Sequence, residues 1–224
     1  MNEFFENFIL RKYENISFDI FDTLIERDVL DPLDIFTLVE NETREPNFRI
    51  KRIQAEKIAR NKSLSKEVNI DDIYREYKAE IESCESLKNV ELRLETEHIH
   101  IKKRMIPFYK RCIAEDKNIF LVSDMYLKAD FIDNLLKKCG IYGYKKLYVS
   151  CEYKKNKVTS ELFKMLLKDE SIMKNDIVHF GDSPKADLLG AWKAGIFSIP
   201  VMKKNMFGWI KGKLVRKRNR GCCK

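Results

Sequence analysis

Four short segments of the sequence place carboxylate, hydroxyl or ammonium side chains at or just after apolar runs. Asp19 lies in ISFDIF (16–21), a run that ends at Asp22-Thr23. NIFLV (118–122) ends at Ser123-Asp124, and KLYVS (146–150) ends at Ser150 with Lys154, Lys155 and Lys157 just beyond. DIVHF (176–180) ends at Gly181-Asp182, with Asp187 five residues after Asp182. A carboxylate can act as a nucleophile or hold a hard cation, and phosphoryl transfer needs positive charge around the transferring oxygens. Taken singly, each group is ordinary, because Ser, Asp and Lys after a strand are usually turn formers or helix caps. Four such sites in a row are much harder to obtain by chance.

The elements between them decide whether these groups can meet. Residues 31–105 read as helical throughout. Asp31-Pro32 reads as an N-cap with proline at the first helical position, followed by Ile35, Phe36, Leu38 and Val39 at helical spacing. A second helix is expected near 48–62, with Ile50, Ile53 and Ile58 inward. Asn69 caps a third, and a fourth near 88–105 carries Val90, Leu94, Ile101 and Met105. After Pro107 the pattern becomes short apolar runs, ending with 196–199, that alternate with helices near 128–139, 157–168 and 184–194. That alternation predicts βαβ units and a parallel sheet. Ligands of such sheets bind beyond the carboxyl ends of the strands, where the four polar sites fall. The helical block interrupts this pattern after the first strand, so it reads as an inserted cap. The expected organisation is a core of 1–26 with 106–202, a helical cap of 27–105 and a basic tail of 203–224.

The order DIFDT, LVSD, KKNK and GDSPKAD resembles the haloacid dehalogenase superfamily, over about 14–26 and 107–200. The resemblance implies an α/β fold, a Rossmann-like parallel sheet flanked by helices, and a Mg²⁺-dependent phosphatase or phosphotransferase. Its substrate would be a small phosphorylated metabolite, with a sugar or polyol phosphate among the candidates. Carried over residue by residue, Asp19 is the nucleophile that forms an aspartyl-phosphate. Asp19, the backbone carbonyl of Phe21 and Asp182 are the metal ligands. Ser123 and Lys157 hold the phosphoryl oxygens, with Lys154 and Lys155 as alternatives for the lysine. Thr23 fixes the loop after the first strand and lies at the phosphate site. Asp187 acts through water or by orienting Lys157, and Asp22 and Asp124 support loops. SFDIFDTL with LVSDMYL also resembles a subgroup of predicted hydrolases found beside, or fused to, bacterial polysaccharide glycosyltransferases.

Phe21 departs from the pattern. Phosphatases of the family carry a second Asp there, which protonates the leaving oxygen and then activates water. General acid–base help of that kind contributes roughly 10²–10⁴-fold, and phenylalanine supplies neither step. The leaving group then needs little protonation, or another group such as Asp22 or a cap residue donates the proton, or the chain is a binding or scaffold protein with weakened catalysis. An aromatic residue here also resembles the metal-independent dehalogenase branch. GDSPKAD argues against that branch, since halide displacement does not require its Gly-Asp.

Composition bounds the remaining readings. The 224 residues are 44% hydrophobic and 35% charged, with no apolar run of membrane-spanning length and no secretory pattern at the N-terminus. Six cysteines without a CxxC predict reduced thiols in a cytoplasmic protein, and packing roles for Cys84, Cys112, Cys139 and Cys151. The net charge of +8 comes from the tail, which holds nine Lys or Arg and no acid. No specific nucleic-acid partner is expected of a nearly neutral body. Met206, Phe207, Ile210 and Leu214 fall at helical spacing among the tail's basic residues, a pattern suited to an anionic membrane surface and a peripheral location. His98 and His100 are not expected to form a metal pair, and His179 reads as a hydrogen-bonded core residue. Arg44, Arg49, Lys51, Arg52, Lys57 and Arg60 of the cap could meet an anionic substrate, although solvated helix faces more often explain such charges.

Overall fold

The computed structural model describes residues 2–77 and 81–202. The basic tail and its expected membrane-facing helix lie outside them. Five parallel strands form the central sheet: β1 (Asn15–Phe18), β4 (Asn118–Ser123), β5 (Lys146–Val149), β6 (Ile177–Gly181) and β7 (Phe197–Pro200). Their spatial order is β5-β4-β1-β6-β7, so β1 is central, paired with β4 on one side and β6 on the other. The chain works outward from β1 to β5, then returns to the far side of β1 with β6. That reversal opens a crevice at the carboxyl ends of β1, β4 and β6.

Both faces of central β1 are covered, with Ser17 fully buried on one side and Ile16 and Phe18 on the other. Ile16 and Phe18 are fully buried, and Phe18 packs against Phe108 and Phe180 with ring centroids 6.2 and 5.3 Å apart. Burying a side chain of this size is worth roughly 1.5–3 kcal/mol. Helices flank the sheet, including α1 (Glu3–Lys12), α6 (Ile106–Ala114), α7 (Ala129–Lys138) and α9 (Glu161–Asp169), with a single turn, α8 (Ser150–Tyr153), directly after β5. A π-helical turn (Pro184–Leu189) followed by α10 (Gly190–Lys193) replaces the single helix expected near 184–194. The expected α/β architecture, a parallel Rossmann-like sheet flanked by helices, is therefore present.

Between Arg27 and Ile99 the chain forms α2 (Asp34–Thr43), α3 (Phe48–Lys62), α4 (Ile70–Glu76) and α5 (Ile81–His98). Several expectations for this block need correction. It is not helical throughout, because β2 (Ile25–Arg27) pairs antiparallel with β3 (Ile99–Ile101). Ile101 accordingly lies on a strand, and the last helix ends at His98. Asp31 does not cap a helix. Its carboxylate accepts from the Leu33 amide in a turn, and α2 starts at Asp34. Asn69 does cap α4, in a capping box closed by Asp72.

The inward face of α3 also differs from expectation. Ile50, Ile53 and Ile58 are exposed, whereas Phe48, Arg52, Ala55 and Ala59 are buried. A buried arginine is the reason. Arg52 donates to both carboxylate oxygens of Glu91 at 2.8 Å, and its guanidinium lies against the rings of Phe36 and Tyr126 at 4.7 and 4.8 Å. Arg52 is thus committed to an internal pair rather than to an incoming anion. Arg49, Lys51 and Arg60 pair with acids of the same helical block.

Candidate active site

Strand ends bring the chemistry-bearing residues together. The Asp19 amide donates to Phe180 O at 2.8 Å, which fixes the first residue beyond β1 against β6. Asp22 then adopts a left-handed φ of 60°, and its amide donates to Ile25 O at 2.7 Å. The chain thereby turns tightly from Asp19 into β2. Lys102, a buried residue just beyond β3, donates its ammonium to the Asp22 carbonyl. It braces the loop after β1 from the returning strand, a role with no sequence signal beyond one more lysine.

Lys157 lies in the loop before α9, which begins only at Glu161, so it does not open that helix as expected. It is nevertheless the lysine that reaches the site. Its Nζ donates to Asp19 Oδ1 at 2.5 Å and to Asp187 Oδ1 at 2.6 Å, and it is almost completely buried. Two contacts hold this loop. The Asp124 carboxylate accepts from the Lys157 amide at 2.8 and 3.1 Å. Gly190 packs so closely on the Lys157 carbonyl that a Cβ there would lie 2.0 Å from its oxygen. Lys154 instead turns to the Glu67 carbonyl and the Asp72 carboxylate, which removes it from the site.

Asp187 comes in from the π-helical turn. Its Oδ2 accepts from the Ser183 amide at 2.8 Å, and its Oδ1 also accepts from His179 Nε2 at 3.2 Å. Gly181 leaves room for this side chain, since a Cβ there would lie 2.3 Å from Asp187 Cγ. His179 is fully buried and is hydrogen-bonded as expected, with Nδ1 2.9 Å from the Ser17 hydroxyl of the neighbouring strand. Burial lowers its pKa and keeps the ring neutral. A neutral imidazole facing an ionised carboxylate carries its proton on Nε2, so Ser17 donates to Nδ1.

One oxygen each from Asp19, Asp182 and Asp187 lies within 4.8 Å of the others. Burial drives the Asp19 carboxyl up, against the pull of Lys157, to about 7. Burial also works against ionisation of Asp187, but Lys157 and His179 outweigh it and hold that carboxyl well below its usual range. The Lys157 ammonium loses solvation on burial, yet Asp19 and Asp187 more than restore its charge. When all three carboxylates are ionised, the single ammonium leaves an excess of two negative charges. An all-oxygen site with that excess suits a divalent hard cation such as Mg²⁺.

The Ser123 side chain is buried at the end of β4, and its hydroxyl has no hydrogen-bond partner among the described residues. Thr23 is fully buried and its Oγ1 is likewise unpartnered, so its side chain does not fix the loop in the expected way. Its backbone does that work, through a 3.3 Å bond to Ile20 O. Phe21 is partly buried, and the Arg27 guanidinium lies 4.7 Å from its ring centroid. Arg27 in turn donates through Nε and Nη2 to Glu95 at 2.8 and 3.0 Å. Tyr126, beyond Ser123, donates to Glu91 at 3.2 Å. Arg27, Glu95 and Tyr126 were not singled out by sequence: Glu95 reads as one more solvated charge on an amphipathic helix, and Arg27 and Tyr126 fall at no strand-end motif residue.

A parallel sheet with an acidic site at its carboxyl ends, a helical insertion behind the first strand and a buried lysine bridging two of the acids defines a class of hydrolase. The haloacid dehalogenase-like hydrolase family matches residues 16–201, and the chain belongs to that family. No curated protein matches it. Among solved structures, it is similar to a 2-haloacid dehalogenase from Pseudomonas syringae pv. Tomato DC3000, with 15% identity, 84% of this chain and 86% of that one covered, and a TM-score of 0.61. A predicted phosphoglycolate phosphatase from Haemophilus somnus 129pt has 12% identity over 86% of each chain and a TM-score of 0.59. A family enzyme from Bacteroides thetaiotaomicron, solved as an aspartate-to-alanine mutant with magnesium and inorganic phosphate, has 17% identity, 86% and 95% coverage and a TM-score of 0.58. At these identities the likeness carries the fold alone. Among the described residues no helix is long and apolar enough to cross a membrane.

Proposed function

We propose that this hydrolase is a Mg²⁺-dependent phosphatase or phosphotransferase for a small phosphorylated metabolite, working through an aspartyl-phosphate on Asp19. One observation carries the reading: Lys157 bridges Asp19 and Asp187 inside a three-carboxylate group that, once fully ionised, has two negative charges for a cation to offset. Asp19, the Phe21 carbonyl and Asp182 would hold Mg²⁺, whose positive charge would offset the anionic phosphoryl group. The Asp19 carboxylate attacks phosphorus, and Lys157 and the Ser123 hydroxyl hold the phosphoryl oxygens. Asp187, locked by His179 and the Ser183 amide, keeps Lys157 in reach of those oxygens. The helical insertion would exclude water and select the substrate.

Dehalogenation is the second reading, favoured by the aromatic Phe21. It gives no role to the spare negative charge of Asp19, Asp182 and Asp187. Phosphate release from a metabolite panel, with and without Mg²⁺, tests the choice. Release that needs Mg²⁺ and disappears in Asp19→Asn is the expected outcome. Halide release from 2-haloacids without metal would overturn it.

A further inference from the structure

Phe21 occupies the place of the acid that would protonate the leaving group, yet the space around its ring is not merely apolar. Arg27 stacks on it, with the guanidinium 4.7 Å from the ring centroid. The β2 strand forces this contact, because Phe21 bridges to Ile25 and Arg27 is the next residue on the same strand face. Glu95 fixes the guanidinium through Nε and Nη2. The third nitrogen, Nη1, has no partner among the described residues. The Arg27 side chain is 10% exposed, and Glu95 behind it is 1% exposed. A permanent, weakly hydrated cation with free donor capacity is therefore held where the proton donor is missing.

We infer that Arg27 receives the departing group, and that the substrate is a phosphoryl donor with an acidic leaving group, such as an acyl, aryl or enol phosphate or a phosphoanhydride. The inference rests on the phosphoryl-transfer reading and narrows it. A sugar or polyol ester must expel an alkoxide, which an arginine that never gives up its proton cannot protonate. In the first step the Asp19 carboxylate forms a bond to phosphorus while the P–O bond to the leaving group breaks. The leaving group departs with the electron pair as an anion beside Arg27, and no proton is required. In the second step water bonds to phosphorus and the bond from phosphorus to Asp19 breaks. Both water protons leave with the phosphate, one of them passing to solvent at neutral pH. With no base at position 21 the second step is the slower one, so the phosphoenzyme accumulates.

The test uses the full chain with Mg²⁺ and a series of aryl phosphates of graded leaving-group acidity, together with acetyl phosphate and glycerol phosphate. kcat/KM is expected to fall roughly 10²–10⁴-fold from the best aryl donor to glycerol phosphate, the factor that general acid catalysis ordinarily supplies. Phe21→Asp should narrow that gap. Arg27→Gln should widen it, and Arg27→Lys, which keeps the charge, should fall between Arg27→Gln and the natural chain. Intact-mass measurement after mixing with acetyl phosphate should show a phosphorylated chain that Asp19→Asn lacks. Circular dichroism checks that each variant is folded. Equal rates across the series would overturn the substrate class. A uniform loss for all donors in Arg27→Gln would make Arg27 structural and overturn its assignment. Absence of both phosphoenzyme and phosphate release with every donor would instead remove the phosphoryl reading itself.

Discussion

Lys157 Nζ lies 2.5 Å from Asp19 Oδ1, although 138 residues separate the two in sequence. Its other partner, Asp187, is 2.6 Å away, so one ammonium group ties the end of β1 to the π-helical turn after β6. Asp124 and Gly190 hold the loop that carries it, and Gly181 makes room for Asp187.

Lys157→Met would leave Asp19, Asp182 and Asp187 clustered without their cation. Breaking a buried pair by removing one partner costs roughly 3–5 kcal/mol. Urea unfolding without metal should show a loss of that order, partly recovered by millimolar Mg²⁺, while phosphoryl transfer should be abolished. An unchanged midpoint would contradict the buried bridge.

The raised Asp19 carboxyl gives the metal-free protein a definite pH response. Its pKa is about 7 when folded against 3.8 for an unperturbed aspartate, so between those values the folded state binds more protons than the unfolded state. Stability from this group is present below pH 3.8 and is lost as pH rises through about 7. Burial raises Asp124 to about 6, which adds to the same trend. Urea midpoints of the natural chain minus those of Asp19→Asn should therefore decline from pH 5 to pH 8. Mg²⁺, which would favour the ionised carboxylate, should flatten that decline. A difference that rises with pH would refute the assignment.

Gly181→Ala puts a methyl group 2.3 Å from Asp187 Cγ. Asp187 must move, and Lys157 loses its second anchor. Turnover should fall by at least about 10²-fold, since displacements of about 1 Å cost that much. Thermal unfolding should fall as well, because overpacking costs about 1–3 kcal/mol.

Glu91 accepts from Arg52, Tyr74 and Tyr126 with both oxygens engaged. Glu91→Ala would leave the buried Arg52 guanidinium with Glu56 alone, 3.3 Å from Nη1, and should cost up to roughly 3–5 kcal/mol. Replacing Arg52 and Glu91 together with methionine and leucine should restore most of that stability. A double variant no better than Glu91→Ala would show that the pair itself, and not the stranded charge, matters.

Much of the site was legible because strand-end position is a local property. Asp19, Ser123 and Asp182 each sit at or just beyond an apolar run, and the structure puts them at the ends of β1, β4 and β6. The choice of Lys157 over Lys154 was not legible, since three lysines within four residues differ only in where the loop directs them. α3 was misread for a different reason. Apolar periodicity favours Ile50, Ile53 and Ile58, and it has no term for an arginine buried by a bidentate partner 39 residues away. The ribbon of β2 and β3 was missed because three-residue strands paired across the helical insertion leave no local pattern.

The amino-acid sequence by itself determined the alternation of strands and helices, the four polar strand ends and the absence of an acid at position 21. These follow from local chemistry and from the period of apolar residues. Only the tertiary structure decided that Lys157 joins Asp19 to Asp187, that His179 stands behind Asp187, and that Arg27 covers Phe21. Each of these is a contact between side chains brought together by the sheet order and by the return of β3 to β2. Such contacts arise from packing in three dimensions, and no one-dimensional spacing encodes them.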